Sequence, residues 1–227
     1  MSARIPKHKH ELKEDKFISF VFRAVDYFKS TWKTFAIVGV IVVAIILIMA
    51  AYLNHRSNVN QMALQDYAKA TNLFRQQEYT AAKDSLMLLR ENYKSTKYGK
   101  QAFLYLGKIA LANQNYEEAH NYFKQASKKI SNKLLKKAAM IGVAKCLQAQ
   151  DMEKEYYAKL EEIAKEFPDA YDAPDLYLKV ANYYKEKNQA EQAKKLYSLI
   201  TKKYKKSAAY QDAKTSLNNI KKENFSL

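Results

Sequence analysis

One distance, 37 residues, organises most of this chain. Slid along itself by that interval, the sequence matches in four successive units. Ala82, Ala119, Tyr156 and Ala193 fall in register, as do Leu86, Phe123, Leu160 and Tyr197, and Leu89, Ala126, Ile163 and Ile200. The earlier half of each unit matches too, through Ala70, Gly107, Ala144 and Ala181, and through Leu73, Ala110, Leu147 and Tyr184. Tyr93, Ile130, Phe167 and Tyr204 close the units. A period of this length marks a solenoid, in which each unit buries its apolar face against its neighbours. Each unit holds two apolar-periodic stretches separated by a short polar break: RQQEY, ANQNY, QAQDM and EKNQA. Only 4 glycines and 3 prolines occur in 227 residues. Strands and tight turns lean on those residues, so the fold class expected is all-α.

The second unit carries a more specific pattern. Phe103, Leu106, Gly107, Ala110, Tyr116, Ala119, Phe123 and Ala126 resemble the signature of a tetratricopeptide repeat (TPR). The resemblance implies that Gly107 lets helix A approach its neighbour, that Ala119 sits at the tightest crossing within the pair, and that Phe123 fills the gap to the next unit. Unit four is similar through Tyr177, Val180, Ala181, Tyr184, Ala193 and Tyr197. Unit three departs most, because Tyr156 replaces the small residue of helix B and demands a wider or rotated crossing. The repeats are expected at 63–99, 100–136, 137–173 and 174–210, within a solenoid spanning 63–227. A period three residues above the usual 34 places the extra residues between units, as in KEFPDAYDAPD (Lys165 to Asp175). The last stretch, AAYQDAKTSLNNIKKEN, supplies a capping helix over 211–222 that covers the final apolar surface.

A second feature stands apart. Phe35 to Leu53 reads FAIVGVIVVAIILIMAAYL, 19 residues without a charge. As a helix it rises about 28 Å, close to the roughly 30 Å hydrocarbon core of a bilayer. Trp32 and Tyr52 flank it as interfacial aromatics. The preceding 34 residues are too many, and the apolar run too long, for a cleaved signal peptide. Residues 1–34 carry eight Lys or Arg, whereas the 20 residues after Leu53 carry only Arg56 and Lys69. That bias sets the N-terminus in the cytoplasm. Within the arm, Phe17, Phe20, Val21, Ala24, Phe28 and Trp32 fall at helical spacing, which reads as an amphipathic juxtamembrane helix. The alternative is a simple extension of the membrane helix. Residues 54–62 are the expected linker. In architecture the chain is similar to the single-span bacterial periplasmic TPR family that includes the ancillary subunit of the Sec translocon. That resemblance implies the bacterial inner membrane, with the repeats in the periplasm. The long basic arm departs from it.

Enzymatic chemistry finds no support. Glycines stand only at 39, 99, 107 and 142, which excludes a nucleotide-binding glycine loop. His8, His10, His55 and His120 lack metal-ligand spacing within the repeats. His8, His10 and Glu11 sit in a polar tail and read as solvated. Cys146 lies beside Ala144 and Leu147 in a helix A, as a small buried residue rather than a nucleophile. A single cysteine permits no internal disulfide. Glu161 and Glu162 sit among lysines on a solvated face. The Asn224-Phe225-Ser226 match to a glycosylation sequon reads as chance. No catalytic residue, metal or cofactor is expected.

What remains is binding. In the TPR family helix A lines the concave groove, and carrying its groove positions over gives Tyr67, Thr71, Phe74 and Arg75 in unit one. Unit two contributes Leu104, Lys108 and Leu111; unit three Ile141, Lys145 and Gln148; unit four Leu178, Asn182 and Lys185. A ladder of Thr71, Lys108, Lys145 and Asn182 beside apolar ledges suits an extended polypeptide. The formal charge of +16 is spread as lysine pairs along every repeat, which disfavours nucleic acid and fits proximity to an anionic membrane. The expected partners are proteins, either exported polypeptides or subunits of an envelope complex, with no small-molecule substrate. The function expected is a membrane-anchored scaffold or chaperone. Its alternatives are a structural coordinator of one fixed envelope complex and an organelle receptor of reversed topology.

Overall fold

The computed structural model describes residues 16–223, and every regular element among them is helical. The helices are α1 (Lys16–Arg75), α2 (Tyr79–Asn92), α3 (Lys97–Ala112), α4 (Tyr116–Lys129), α5 (Lys133–Ala149), α6 (Glu153–Glu166), α7 (Ala173–Glu186), α8 (Ala190–Lys203) and α9 (Ala209–Glu223). The chain divides into two compact units at the Ser57–Asn58 boundary. His8, His10, Glu11 and the Asn224-Phe225-Ser226 sequon lie outside the described residues.

In the first unit, residues 16–57 belong wholly to α1. Its apolar side chains are exposed, Ile48 at 70% and Leu47 at 64%, and the helix is long and apolar enough to cross a membrane. The arm from residue 16 and the apolar stretch form one helix, and residues 54–62, expected as a linker, are helical as well. The sequence explains this continuity. No proline occurs between Pro6 and Pro168, and Gly39 is the sole glycine in α1, so nothing forces a break.

In the second unit, helices A (the α1 segment from residue 58, then α3, α5 and α7) alternate with helices B (α2, α4, α6 and α8). Each A-to-B turn has three residues and the same backbone trick. Gln77, Gln114, Asp151 and Asn188 adopt φ of 63°, 59°, 56° and 58°, one per repeat and 37 residues apart. The next amide reaches back five residues: Glu78 to the Leu73 carbonyl (3.0 Å), Asn115 to Ala110 (2.9 Å), Met152 to Leu147 (3.0 Å) and Gln189 to Tyr184 (2.8 Å). This bond closes each helix A in a Schellman motif and satisfies carbonyls that the helix end leaves open.

The B-to-A connections differ from one another. Thr96 caps α3, accepting from the Gly99 amide at 3.0 Å while donating to the Tyr93 carbonyl at 2.8 Å. Asn132 caps α5 through the Leu135 amide at 3.1 Å. These caps start α3 and α5 early, so the residues beyond a 34-residue period lengthen helix A there. After α6 and after α8 they form longer loops instead, 167–172 and 204–208, and Pro174 fixes the start of α7 late. The expectation that the extra residues lie between units therefore holds for Lys165 to Asp175 and for the connection to α9, and not after units one and two.

Packing follows the register. Ala82, Ala119 and Ala193 are fully buried at the helix crossings. Phe123 of α4 wedges between α3 and α5; a Cβ on Gly107 would fall 2.8 Å from its ring. The core runs as three abutting clusters along the solenoid, with Tyr122 and Tyr156 each touching two. In unit three Tyr156 is half-buried where the other units bury Ala82, Ala119 and Ala193. Helix α3 packs directly on α5, and α7 on α9, while Met140 and Ala144 of α5 share a core cluster with Tyr177 and Ala181 of α7. Helix α9 begins at Ala209 and covers the end of the stack through Ala213, Leu217 and Ile220.

Candidate functional site

The A-helix layer begins with an aromatic group shared by α1 and α3. Tyr67 lies 5.3 Å from Tyr98 and 5.7 Å from Tyr105, centroid to centroid, and Phe74 lies 5.3 Å from Tyr105 edge to face. Burial first, then Tyr105 and Tyr98, pushes the Tyr67 phenol well above its ordinary pKa. The group is a neutral, half-buried ledge. Lys108 lays its ammonium over the Tyr105 ring at 4.6 Å, a contact worth about 0.5–1 kcal/mol at a partly exposed site. Lys108 is thus half-buried and committed to Tyr105 rather than fully free.

The other candidates divide by exposure. Arg75, Lys145, Gln148, Asn182 and Lys185 are exposed, and Leu111, Ile141 and Leu178 are half-buried. Asn182 is also structural, since its Oδ1 accepts from the buried Tyr197 hydroxyl at 2.7 Å. Two candidates belong to the interior. Leu104 is 2% exposed, in the core cluster that α3 forms with α5. Thr71 is buried, and its hydroxyl donates back to the Ala68 carbonyl at 3.1 Å, so it presents no donor to a ligand. The expected four-rung ladder therefore reduces to Lys108, Lys145 and Asn182. Tyr98 and Tyr105 were missed in the sequence because neither occupies a repeat position that recurs as aromatic.

A cleft of about 730 Å³ opens elsewhere, in the B layer between α4 and α6. Met140, Val143 and Leu147 of α5 line it, with Lys124, Lys159 and Glu162 among its other lining residues. Lys159 stands here at the repeat position held by Ser85, Tyr122 and Leu196 in the other units. It pairs with Glu162. His120 lines the cleft, and burial, then Lys124 and Lys159, lowers its pKa. Cys146 is fully buried, and burial pushes its thiol up to about 11, which suppresses the nucleophilic thiolate. Among the described residues no three His, Cys, Asp or Glu side chains gather as metal ligands would.

Stacked helical hairpins with a repeated Schellman turn and small buried residues at the crossings define an α-solenoid. A family profile described as a tetratricopeptide repeat-like domain matches residues 26–222, and the chain belongs to that family. Among solved structures, the putative kinesin light chain nearly identical TPR-like repeats of Podosopora anserina align at 14% identity. The alignment covers 71% of this chain and 86% of that one, with a TM-score of 0.46. A search of curated proteins found no match. Repeats of this type are generally non-catalytic, and the fold is that of a protein–protein interaction scaffold.

Proposed function

We propose that the chain is a membrane-anchored scaffold that presents its repeats on the far side of a bacterial inner membrane and receives polypeptide on the A-helix layer. The observation that carries the binding reading is the composition of that layer. The half-buried Tyr67, Phe74 and Tyr105 stand on the first two A helices, and the exposed Lys145, Gln148 and Lys185 on later ones. Apolar ledges take side chains while the lysines and amide meet backbone and carboxylates, which is how a groove holds an extended segment. Anchoring is supported by the charge-free stretch Phe35 to Leu53 within α1, and the side by the eight basic residues ahead of it. The architecture fits a role in receiving exported proteins, at the Sec translocon or in a neighbouring envelope complex.

A reporter fused after Leu227 tests this reading. One that works only outside the cytoplasm is expected to be active, with the protein retained in membranes after alkaline extraction. Activity of a cytoplasm-only reporter at the same position would put the repeats on the other side and overturn the reading.

A further inference from the structure

The two long edges of the repeat unit differ in charge. Successive B-to-A connections line one edge: the Tyr204 hydroxyl donates to the Pro168 carbonyl at 2.8 Å, and Lys137 pairs with Asp172. In the segments 90–100, 128–137, 165–175 and 202–208 that form it, fourteen Lys and Arg face five Asp and Glu. The A-to-B turns line the other edge, tied across repeats by Lys187 and Glu153 at 2.7 Å. Its segments 75–78, 112–118, 149–155 and 185–191 hold four Lys and Arg against eight Asp and Glu.

Helix stability explains only part of this. Lysines in the last turn of α4 and α8, and glutamates in the first turn of α4 and α6, complement the helix dipoles. Helices α3 and α5, however, begin at the basic edge. Their first residues include Lys97, Lys100, Lys133 and Lys136, and neither has an acid in its first turn. Cations at a helix N-terminus oppose the dipole. Lys136 is offset by Glu166 and Lys97 lies over the Tyr98 ring at 4.8 Å, whereas Lys100 and Lys133 have no ion-pair partner among the described residues and leave the edge with uncompensated positive charge. The same edge holds out two large apolar side chains one repeat apart, Leu134 at 77% exposure and Tyr171 at 94%. The chain also enters the repeat unit here. The first helix A runs from residue 58 to its turn at 76–78, as α3, α5 and α7 run from this edge to theirs. The apolar stretch ends at Leu53, only a few residues upstream.

We propose that this basic edge rests on the anionic headgroup layer of the membrane that holds the span, with Leu134 and Tyr171 entering the interfacial zone. The proposal rests on the anchoring reading. Lysines near an anionic leaflet are drawn to it by its surface potential, and an aromatic and an aliphatic side chain among them add apolar burial. Docking would fix the A-helix layer at a set angle to the bilayer.

The test uses the full chain in phosphatidylcholine vesicles, with or without phosphatidylglycerol. An environment-sensitive fluorophore is placed on Leu134→Cys, Tyr171→Cys or, on the opposite edge, Glu117→Cys, and quenched by spin-labelled lipid. The parent chain, with Cys146 buried, controls for labelling. The expected result is that quenching at 134 and 171 rises about twofold or more with phosphatidylglycerol and falls again at high salt, while 117 stays unquenched. Integration into vesicles without that rise overturns the docking proposal and leaves the span intact. Equal quenching at 117 overturns the edge assignment. Failure to integrate overturns the anchoring reading and this proposal together. Labels that ignore lipid but are shielded by an added acidic protein would assign the edge to another occupant and overturn it as well.

Discussion

The ring of Phe123 occupies the space that a side chain on Gly142 would need: a Cβ there would lie 2.5 Å from it. Gly107, across the ring on α3, is almost as close. The two glycines leave the ring room at a position where two other repeats carry Leu86 and Leu160; the fourth buries Tyr197 there, with Ala181 and Ser216 at the equivalent sites.

This relationship gives a coupled prediction. Gly142→Ala gains helix propensity, worth about 1 kcal/mol, but overpacks a closed site at about 1–3 kcal/mol. The net expectation is a lower melting temperature. Phe123→Leu opens room, so in that background Gly142→Ala should become neutral or stabilising. A double-mutant cycle measured by thermal melting checks this. Additive effects would mean that the ring and the glycine are not in contact.

The four left-handed turn residues make a second case. Gln77, Gln114 and Asp151 hold φ values that glycine adopts without steric cost, whereas non-glycine residues are disfavoured there by roughly 1–2 kcal/mol. Gln114→Gly should raise stability, by up to about 1 kcal/mol once glycine's greater unfolded-state entropy is set against the relief. Asn188→Gly should gain less, because asparagine already tolerates this region. Chemical denaturation of the variants decides it, and destabilisation by Gln114→Gly would contradict the turn geometry.

Much of this was legible in the sequence. The 37-residue interval located the helix pairs, because small and aromatic residues recur only where crossings recur. The interval could not locate the turns' backbone conformation, since none of the four left-handed residues is a glycine. Nor could it separate an exposed groove position from a buried one. Leu104 and Lys108 occupy neighbouring groove positions of one helix, yet α5 covers the first and leaves the second half-open. The aromatic ledge around Tyr105 was invisible for a related reason: it is a property of the first two repeats, and the 37-residue period carries only what all four share.

A pH dependence follows from His120. Its folded pKa is lowered below the unfolded value near 6.5, first by burial and then by Lys124 and Lys159. Between those two pKa values the unfolded chain binds more protons, so stability is full above about pH 6.5 and falls as pH drops through it. Melting followed from pH 7.5 to about 5, above the ordinary carboxylate range, should decline in the parent and decline less in His120→Gln. Identical profiles would show that His120 is not desolvated in the folded state.

Binding on the A-helix layer is tested most directly by photo-crosslinking in intact membranes. A photoreactive residue is placed at Lys145, exposed on α5, or at Lys195, exposed on α8 in the B layer. The expected result is discrete protein adducts from position 145 and none from 195, with the adducts weakened by Lys185→Glu on the same layer. Many adducts of different size would indicate passing client chains, and a single stoichiometric one a fixed complex. Adducts from 195 with none from 145 would contradict the A-helix layer as the receiving surface.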